Sequence, residues 1–456
     1  MAIWANWKKT VYYLRRNGIK STIYAVLERL EQQKQNDYRC EETGEEQLEA
    51  QRQQHFQRKP TFSILVPLYR TPEIYLTEMI TSVLGQTYPE LELILADATE
   101  DDSVERKVRE CMAAEKERYG RQRIVYTRLE HNGGISENSN EALKLAKGDY
   151  VGLLDHDDVL TPDALYHVVR KLEEHTGKGS EPLLLYSDED KCNQDRTVYF
   201  EPHYKTDFNL DLLLSNNYIC HFMVMKRELI QSLGFRKEYD GAQDFDLVLR
   251  AVSRILPQEE RIVHIPEILY HWRCHMGSTA ENPRSKQYAY EAGKRAVQDM
   301  ADRMGWKAQA VHLKHLGFYG LEYQPDLFTV RKDVAAAGGK LVFKGHLVAG
   351  AYDEAGNPLY QGLKEGFSGS MHRGVLLQDV AAVDIRAICV RPECRELFEH
   401  VTGIPYVTSG DYFDWTKLPE GTDYKEISIK LGEALRREGY RICWDPRWVR
   451  VYRGKK

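Results

Sequence analysis

Apolar and polar positions divide the chain into zones of different period. Over residues 1–30, Trp4, Trp7, Val11 and Leu14 recur at spacings of three and four. After Asn17-Gly18, Ile19, Ile23, Val26, Leu27 and Leu30 do so again. Such spacing places side chains on one helical face, so this zone predicts a short helical hairpin with an apolar stripe on each arm. Residues 31–60 are rich in Gln and Glu and predict a solvated helix or linker. From residue 61, β-branched apolar runs alternate with amphipathic stretches. Residues 62–66, 91–95, 123–129 and 150–154 predict strands, with helices over 73–85, 103–118 and 135–147. Thr161-Pro162-Asp163 marks a further helix start, with Pro in its first turn. Repeated strand–helix units of this size predict an α/β domain over 61–324, a mostly parallel sheet with helices on both faces. Residues 325–456 predict a smaller α+β accessory domain.

Composition narrows the function classes. The chain has 456 residues, 42% apolar and 29% charged, with 63 Lys+Arg against 69 Asp+Glu. A net charge of −6 argues against a nucleic-acid binder that relies on neutralising phosphates. Eight cysteines without a C-x-x-C pair indicate neither a zinc ribbon nor a disulfide framework, and point to a reducing, cytoplasmic compartment. No uncharged apolar run reaches the roughly 18 residues of a membrane span, and no signal-peptide pattern opens the chain. Residues 1–30, however, carry Lys8, Lys9, Arg15, Arg16, Lys20 and Arg29 against Glu28 alone. Two readings stay open there: peripheral anchoring to anionic lipid at the inner face of the cell membrane, or packing of both stripes against the rest of the protein.

Open parallel sheets bind ligands beyond the carboxyl ends of their strands. Four predicted strand ends carry chemistry. The first ends in Pro67-Leu68-Tyr69 and the second in Asp97; the third runs into His131-Asn132-Gly133-Gly134 and the fourth into Asp155-His156-Asp157-Asp158. An aromatic, a carboxylate, a Gly-rich turn and an acidic cluster on one edge predict a ligand pocket. Asp155 and Asp157, two apart at a strand end, suit Mg2+ or Mn2+, which take one or two carboxylates and complete their shell with phosphates and water. By itself the same spacing also describes a solvated turn preceding a helix.

Residues 61–280 resemble the family 2 glycosyltransferases with the GT-A fold. The resemblance rests on Ser63-Ile64-Leu65-Val66-Pro67-Leu68-Tyr69, Gly85-Gln86-Thr87-Tyr88, Asn132-Gly133-Gly134-Ile135-Ser136 with Asn140, Gly148-Asp149-Tyr150, Leu154-Asp155-His156-Asp157-Asp158, Gly241-Ala242-Gln243-Asp244-Phe245-Asp246 and Tyr270-His271-Trp272-Arg273 with His275 and Ser278. The likeness is greatest to enzymes of bacterial surface-polysaccharide synthesis, rhamnosyltransferase-like members included. It implies a nucleotide-diphosphate sugar donor and a glycan or lipid-linked acceptor. Pro67 and Tyr69 would border the base, Asp97 would accept from a pyrimidine N–H, and Asn140 would join the donor site. Asp155 would meet the ribose or the metal, Asp157 would be the main ligand of Mn2+ or Mg2+, and His275 a further metal or diphosphate contact.

Asp244 matches the catalytic base, which takes the acceptor's proton as the anomeric centre inverts. Asp246 reads as structural. Two departures stand out. Ala96 replaces an acidic residue, and Ser139 stands where many members carry an Arg for the diphosphate, leaving Arg273 and Lys205 as substitutes. Asp188-Glu189-Asp190 recurs in the subgroup and reads either as a run near the acceptor or as a solvated turn; His203, Asn216, Asn217 and His221 lie in the stretch expected to face the acceptor, and Trp272 either stacks on a sugar or packs in the core.

A faint repeat marks the last third. Arg261-Ile262-Val263-His264-Ile265-Pro266 is echoed by Arg441-Ile442-Cys443-Trp444-Asp445-Pro446, and residues 224–229 by 389–397. It covers the acceptor half only, without a second D-x-D, and reads as a partial, inactive transferase module; an unrelated accessory domain is the alternative. Two other functions compete with a metal-dependent, inverting transferase. A nucleotidyltransferase would want a basic Gly-rich loop where Tyr69-Arg70-Thr71-Pro72 stands. A non-catalytic nucleotide-sugar scaffold would not need Asp155, Asp157 and Asp244 together.

Overall fold

The computed structural model describes residues 2–34, 38–275 and 287–452. Contacts divide the chain into two compact units, one of residues 37–208 and 217–300, the other of 1–36, 209–216 and 301–456. In chain order the elements begin with α1 (Ala2–Lys34), α2 (Glu45–Arg52), β1 (Phe62–Leu68), α3 (Glu73–Leu84), β2 (Leu91–Asp97), α4 (Ser103–Tyr119), β3 (Ile124–Arg128), α5 (Ile135–Leu145) and β4 (Tyr150–Leu153). They continue with β5 (Val159–Leu160), α6 (Ala164–Thr176), β6 (Leu184–Cys192), β7 (Tyr199–His203), α7 (Leu210–Ser215), β8 (Met223–Lys226), α8 (Arg227–Leu233), α9 (Gln243–Ile255), β9 (Ile262–Arg273) and α10 (Gln287–Arg303).

One sheet organises the first unit, in the order β3-β2-β1-β4-β8-β6-β9-β5, with β7 beside β6. β3, β2, β1 and β4 run parallel, as the alternating strand–helix pattern requires. β8 then enters antiparallel to both β4 and β6, and β6 runs parallel to β9. The sheet is therefore mixed, with its longest unbroken block parallel. Helices cover both faces, so β1 carries no polar-out alternation: Phe62, Ile64, Leu65, Val66 and Leu68 are all buried. Each such side chain contributes about 1.5–3 kcal/mol on leaving water. Gly152 in β4 is required by close approach, since a Cβ there would meet Ile64 at 2.9 Å and the Phe222 ring at 3.0 Å.

The second unit is centred on the strand Val334–Phe343, antiparallel to Ile388–Val390 and parallel to Arg441–Val451. Those directions are the ones that link β6 to β8 and to β9. A helix, Arg395–Thr402, follows Ile388–Val390 as α8 follows β8, and Tyr424–Arg437 precedes Arg441–Val451 as α9 precedes β9. Both central strands lose register midway, at Ser187/Asp188 and at Gly338/Lys340.

α1 belongs to this second unit. It breaks at Gly18 (φ 78°, ψ 173°), where the Asn17-Gly18 signal placed the interruption. One side of its second arm docks on the unit: Tyr24 lies edge-on to Phe367 at 6.3 Å, and Glu28 accepts from the amides of Ser368 and Gly369. The predicted stripe is on another side. Ile19, Ile23, Val26, Leu27 and Leu30 are 44–71% exposed, so this stripe is not packed against the protein. The side chains of Trp4, Trp7, Lys8 and Lys9 lie outside the described residues, as does Ser278. No described helix is long and apolar enough to cross a membrane.

Candidate active site

The ends of the parallel strands position the site. Leu68 pairs with Asp97 across β1 and β2, so the residues that follow each strand share one edge. Pro67 is half-buried in β1. Tyr69, 37% exposed, donates its hydroxyl to Glu100 at 3.1 Å, and the Arg70 guanidinium lies 5.1 Å from its ring centre. Asp97 is fully buried; it accepts from the Thr99 amide at 2.9 Å and from the Tyr126 hydroxyl at 2.8 Å. A base N–H would have to use the remaining lone pairs of those oxygens.

β4 delivers the acidic cluster. Asp157 meets the His275 Nε2 at 2.7 Å, with the Tyr75 ring 5.4 Å from the imidazole. Asp158 is buried and accepts from the Tyr270 hydroxyl and, at 2.7 Å, from the Arg273 amide. Burial pushes its pKa well above the carboxylate range, reinforced by Asp157 and Asp155. Asp155 follows the end of β4, more than half of its side-chain surface open. Its pKa is raised, first by desolvation and then by the charges of Asp157 and Asp244, with His221 and His156 opposing. Asp244 sits in the first turn of α9, where the helix N-terminus favours a carboxylate, and accepts from the Asn217 side chain at 2.9 Å.

The second acidic run divides between the two faces of β6, because side chains alternate along a strand. Asp188 accepts from the Lys205 amide at 2.8 Å and pairs with His264 at 2.7 Å. Asp190 takes the Tyr38 hydroxyl at 2.7 Å and His271 at 2.5 Å. Both are committed to protein groups. Glu189 meets the His221 amide at 2.7 Å and its Nδ1 at 3.0 Å, with His203 at 3.3 Å and the Lys205 ammonium at 3.8 Å. Burial alone would raise the Glu189 pKa; Lys205, His203 and His221 override it and hold the carboxyl well below its usual range. His221 stacks on Tyr270 at 4.7 Å and turns its Nε2 to 3.9 Å from Asp155. Burial opposes its charge, while Cys220 and Glu189 raise its pKa well above normal. The Cys220 thiol is itself pushed up to about 12, so Glu189 supplies the compensating charge.

Several expected contacts are redirected. Arg273 is 1% exposed, and three of the five N–H donors of its guanidinium go to the carbonyls of Asp157 and Gln194 and to Glu78. Lys205 is equally buried and donates to the carbonyls of Ile219 and His221. Both side chains are thus engaged by protein groups. Asn140 clamps the backbone of Phe235 with both ends of its amide at 2.8 Å; it lies beside a different cavity, of about 890 Å³, bordered by His131 and Gly133. Trp272 is half-buried against the core, under the Lys191 ammonium. Asp246 is ion-paired to Arg236 and Arg250, the structural role its spacing predicted. Asn216 falls in the second unit. Asp158 and Tyr270 escaped assignment because their contact spans 112 residues of sequence, and no local pattern announces it.

The donor set fits a small divalent cation in part. Asp157 and His275 already converge, and Asp155 carries like-charge strain that a cation would relieve. A carboxylate–imidazole pair leaving positions for phosphate oxygens suits Mn2+ or Mg2+. Among the described residues, the groups of three ligands within 4.8 Å of one another are elsewhere, at Cys40–Asp190–His271 and Asp211–Asp379–Cys443.

A mixed α/β sheet that gathers acidic residues beyond its parallel strand ends is the architecture of the GT-A fold. Residues 63–234 match the profile of glycosyl transferase family 2, so the chain carries a family 2 glycosyltransferase domain. Among known proteins it is similar to the uncharacterised protein y4gI of Sinorhizobium fredii, 40% identical over 58% of this chain and 28% of that protein. It is also similar to the O-antigen biosynthesis protein RfbC of Myxococcus xanthus, 34% identical over 55% of this chain and 19% of that one. The chain thus spans less than a third of the length of these relatives. Among solved structures, S. aureus TarS in complex with UDP-GlcNAc aligns with a TM-score of 0.40 at 22% identity, over 54% of this chain and 66% of that one.

Proposed function

We propose that the chain transfers a sugar from a nucleotide-diphosphate sugar to a glycan or lipid-linked acceptor in cell-surface polysaccharide synthesis, with inversion at the anomeric carbon. The observation that carries this reading is the acidic strand end after β4, where Asp157 meets His275 at 2.7 Å and the His221 Nε2 lies 3.9 Å from Asp155. In this reading Tyr69 and Asp97 hold the base and Asp155 the ribose. Asp244, oriented by Asn217, takes the proton of the acceptor hydroxyl, a step that typically contributes 10²–10⁴-fold. Asp157 and His275, with Asp155, would hold Mn2+ or Mg2+, which when bound supplies positive charge to the departing diphosphate. His221, fixed by Glu189 against Tyr270, presents Nε2 beside Asp155 as a diphosphate or acceptor contact. The name of RfbC supports an acceptor of the surface-polysaccharide class.

Two further parts belong to the same reading. The exposed stripe Ile19, Ile23, Val26, Leu27 and Leu30, with Lys20 and Arg29 on the same arm, supports peripheral attachment to anionic lipid at the cytoplasmic face of a membrane. The shared strand directions support residues 325–456 as a partial, inactive transferase module. A thermal-shift screen of nucleotide sugars with and without Mn2+ tests the core of the proposal. A metal-dependent shift for one donor is expected, and no shift with any donor would overturn it.

A further inference from the structure

The second unit encloses a cavity of about 420 Å³ between the second arm of α1 and the strand Val334–Phe343. Tyr24, Leu313, Phe318 and Val375 give it an apolar and aromatic wall. Lys20, Lys314 and Lys340 line it, and Glu365 is the acidic residue on its lining. Arg447 also lines it but is bound to Asp445 at 2.7 Å. Glu28, the acid on the neighbouring α1 turn, is committed to the amides of Ser368 and Gly369. His315 stays neutral, because burial and the adjacent cations lower its pKa to about 3.

Lys340 is the exceptional residue. It is 4% exposed, and among the described residues its ammonium has no hydrogen-bond or ion-pair partner, Glu365 and Glu28 acting on it only through their charge. Other buried cations of this unit are satisfied: Arg331 by Asp211 and Asp333, Arg391 by the carbonyls of Lys332 and Val334. Burying an ammonium without a partner is costly unless something else supplies the acceptor. Its place in the strand adds a second argument. Leu184 pairs with Ile262 and Ala336 with Ile442, the corresponding residues of the repeated segments; four residues further on stand Asp188 and Lys340. The second unit therefore reverses the charge at a position where the transferase unit is acidic.

We infer that this cavity is an anion-binding site, with Lys340 at its floor, for a phosphate-bearing ligand that has an apolar body. Phosphate offers three acceptor oxygens and up to two charges to the three lysines, and the aromatic and aliphatic wall takes the remainder. The site stands on the second unit alone and does not depend on the transferase reading.

The test is calorimetric titration of the full chain with farnesyl phosphate, farnesol and inorganic phosphate. Farnesyl phosphate is expected to bind, farnesol not, and Lys340→Met to weaken binding at least tenfold without lowering the melting temperature of the free protein. Inorganic phosphate binding as tightly as farnesyl phosphate assigns the site to soluble phosphates and overturns the apolar body. Farnesol binding equally well, or Lys340→Met binding unchanged, overturns the anion site. Lys20→Gln with Lys314→Gln, both exposed, serves if Lys340→Met does not fold; the pair is expected to weaken binding several-fold, and unchanged affinity overturns the proposal. Competition by a nucleotide sugar would place the phosphate in the donor crevice and also overturn it.

Discussion

The two units use one arrangement of strands for opposite electrostatic ends. In the first, β6 lies between antiparallel β8 and parallel β9, and its outer half carries Asp188, Glu189 and Asp190. In the second, Val334–Phe343 has the same two neighbours in the same directions, and its outer half carries Gly338, Gly339 and Lys340. Strand pairing is backbone chemistry and tolerates either set. The difference lies in how charge is answered. Glu189 is buried among His203, Lys205 and His221, whereas Lys340 lines a cavity and its ammonium has no hydrogen-bond or ion-pair partner among the described residues. A satisfied buried charge organises a site; an unsatisfied one leaves room for a ligand.

Breaking the acidic side should have the larger effects. Asp244→Asn is expected to lower transfer about 10²–10⁴-fold with donor affinity unchanged, measured by turnover beside donor titration; wild-type turnover would move the base elsewhere. Asp157→Asn should abolish the metal-dependent part of donor binding, read by thermal shift with and without Mn2+. An unchanged shift would separate the D-x-D from the donor. Glu189→Gln leaves two histidines and Lys205 around a neutral amide and should cost about 3–5 kcal/mol of stability by chemical denaturation, with a loss under 1 kcal/mol contradicting its buried-charge role.

The pH response should sharpen the contrast further. Glu189 is held low in the folded chain, so its contribution is present above the unfolded carboxylate range and lost as pH falls through its folded value. Lys340 runs the other way. Its pKa is lowered to about 8 by burial, against Glu365 and Glu28 and with Lys314, so the folded state disfavours its charged form. Stability should rise between pH 8 and 10.5 by at most about 3 kcal/mol in the free protein. In Lys340→Met that rise should vanish, and persistence of the rise would assign it to another group.

Much was legible in sequence because it is local. β-branched apolar runs and the 3.6-residue period located β1 to β4 and their helices, Asn17-Gly18 located the break in α1, and a carboxylate at each of two strand ends located the edge where ligands gather. The antiparallel entry of β8 was not legible, since three apolar residues and a lysine carry no direction. Nor was the commitment of Arg273, Lys205 and Asn140 to protein carbonyls and amides, because a motif gives a residue's place and not its partners.

Sequence by itself determined the element order, the acidic residues at strand ends and the repeated segment after residue 325, all properties of short windows governed by side-chain period and backbone preference. Tertiary structure alone decided which charges are answered. Glu189 acquires its partners from residues 14 to 32 positions away, and the Lys340 ammonium acquires no hydrogen-bond or ion-pair partner among the described residues. Desolvation and pairing depend on what the folded chain brings within a few ångströms, which residue order along the chain does not specify.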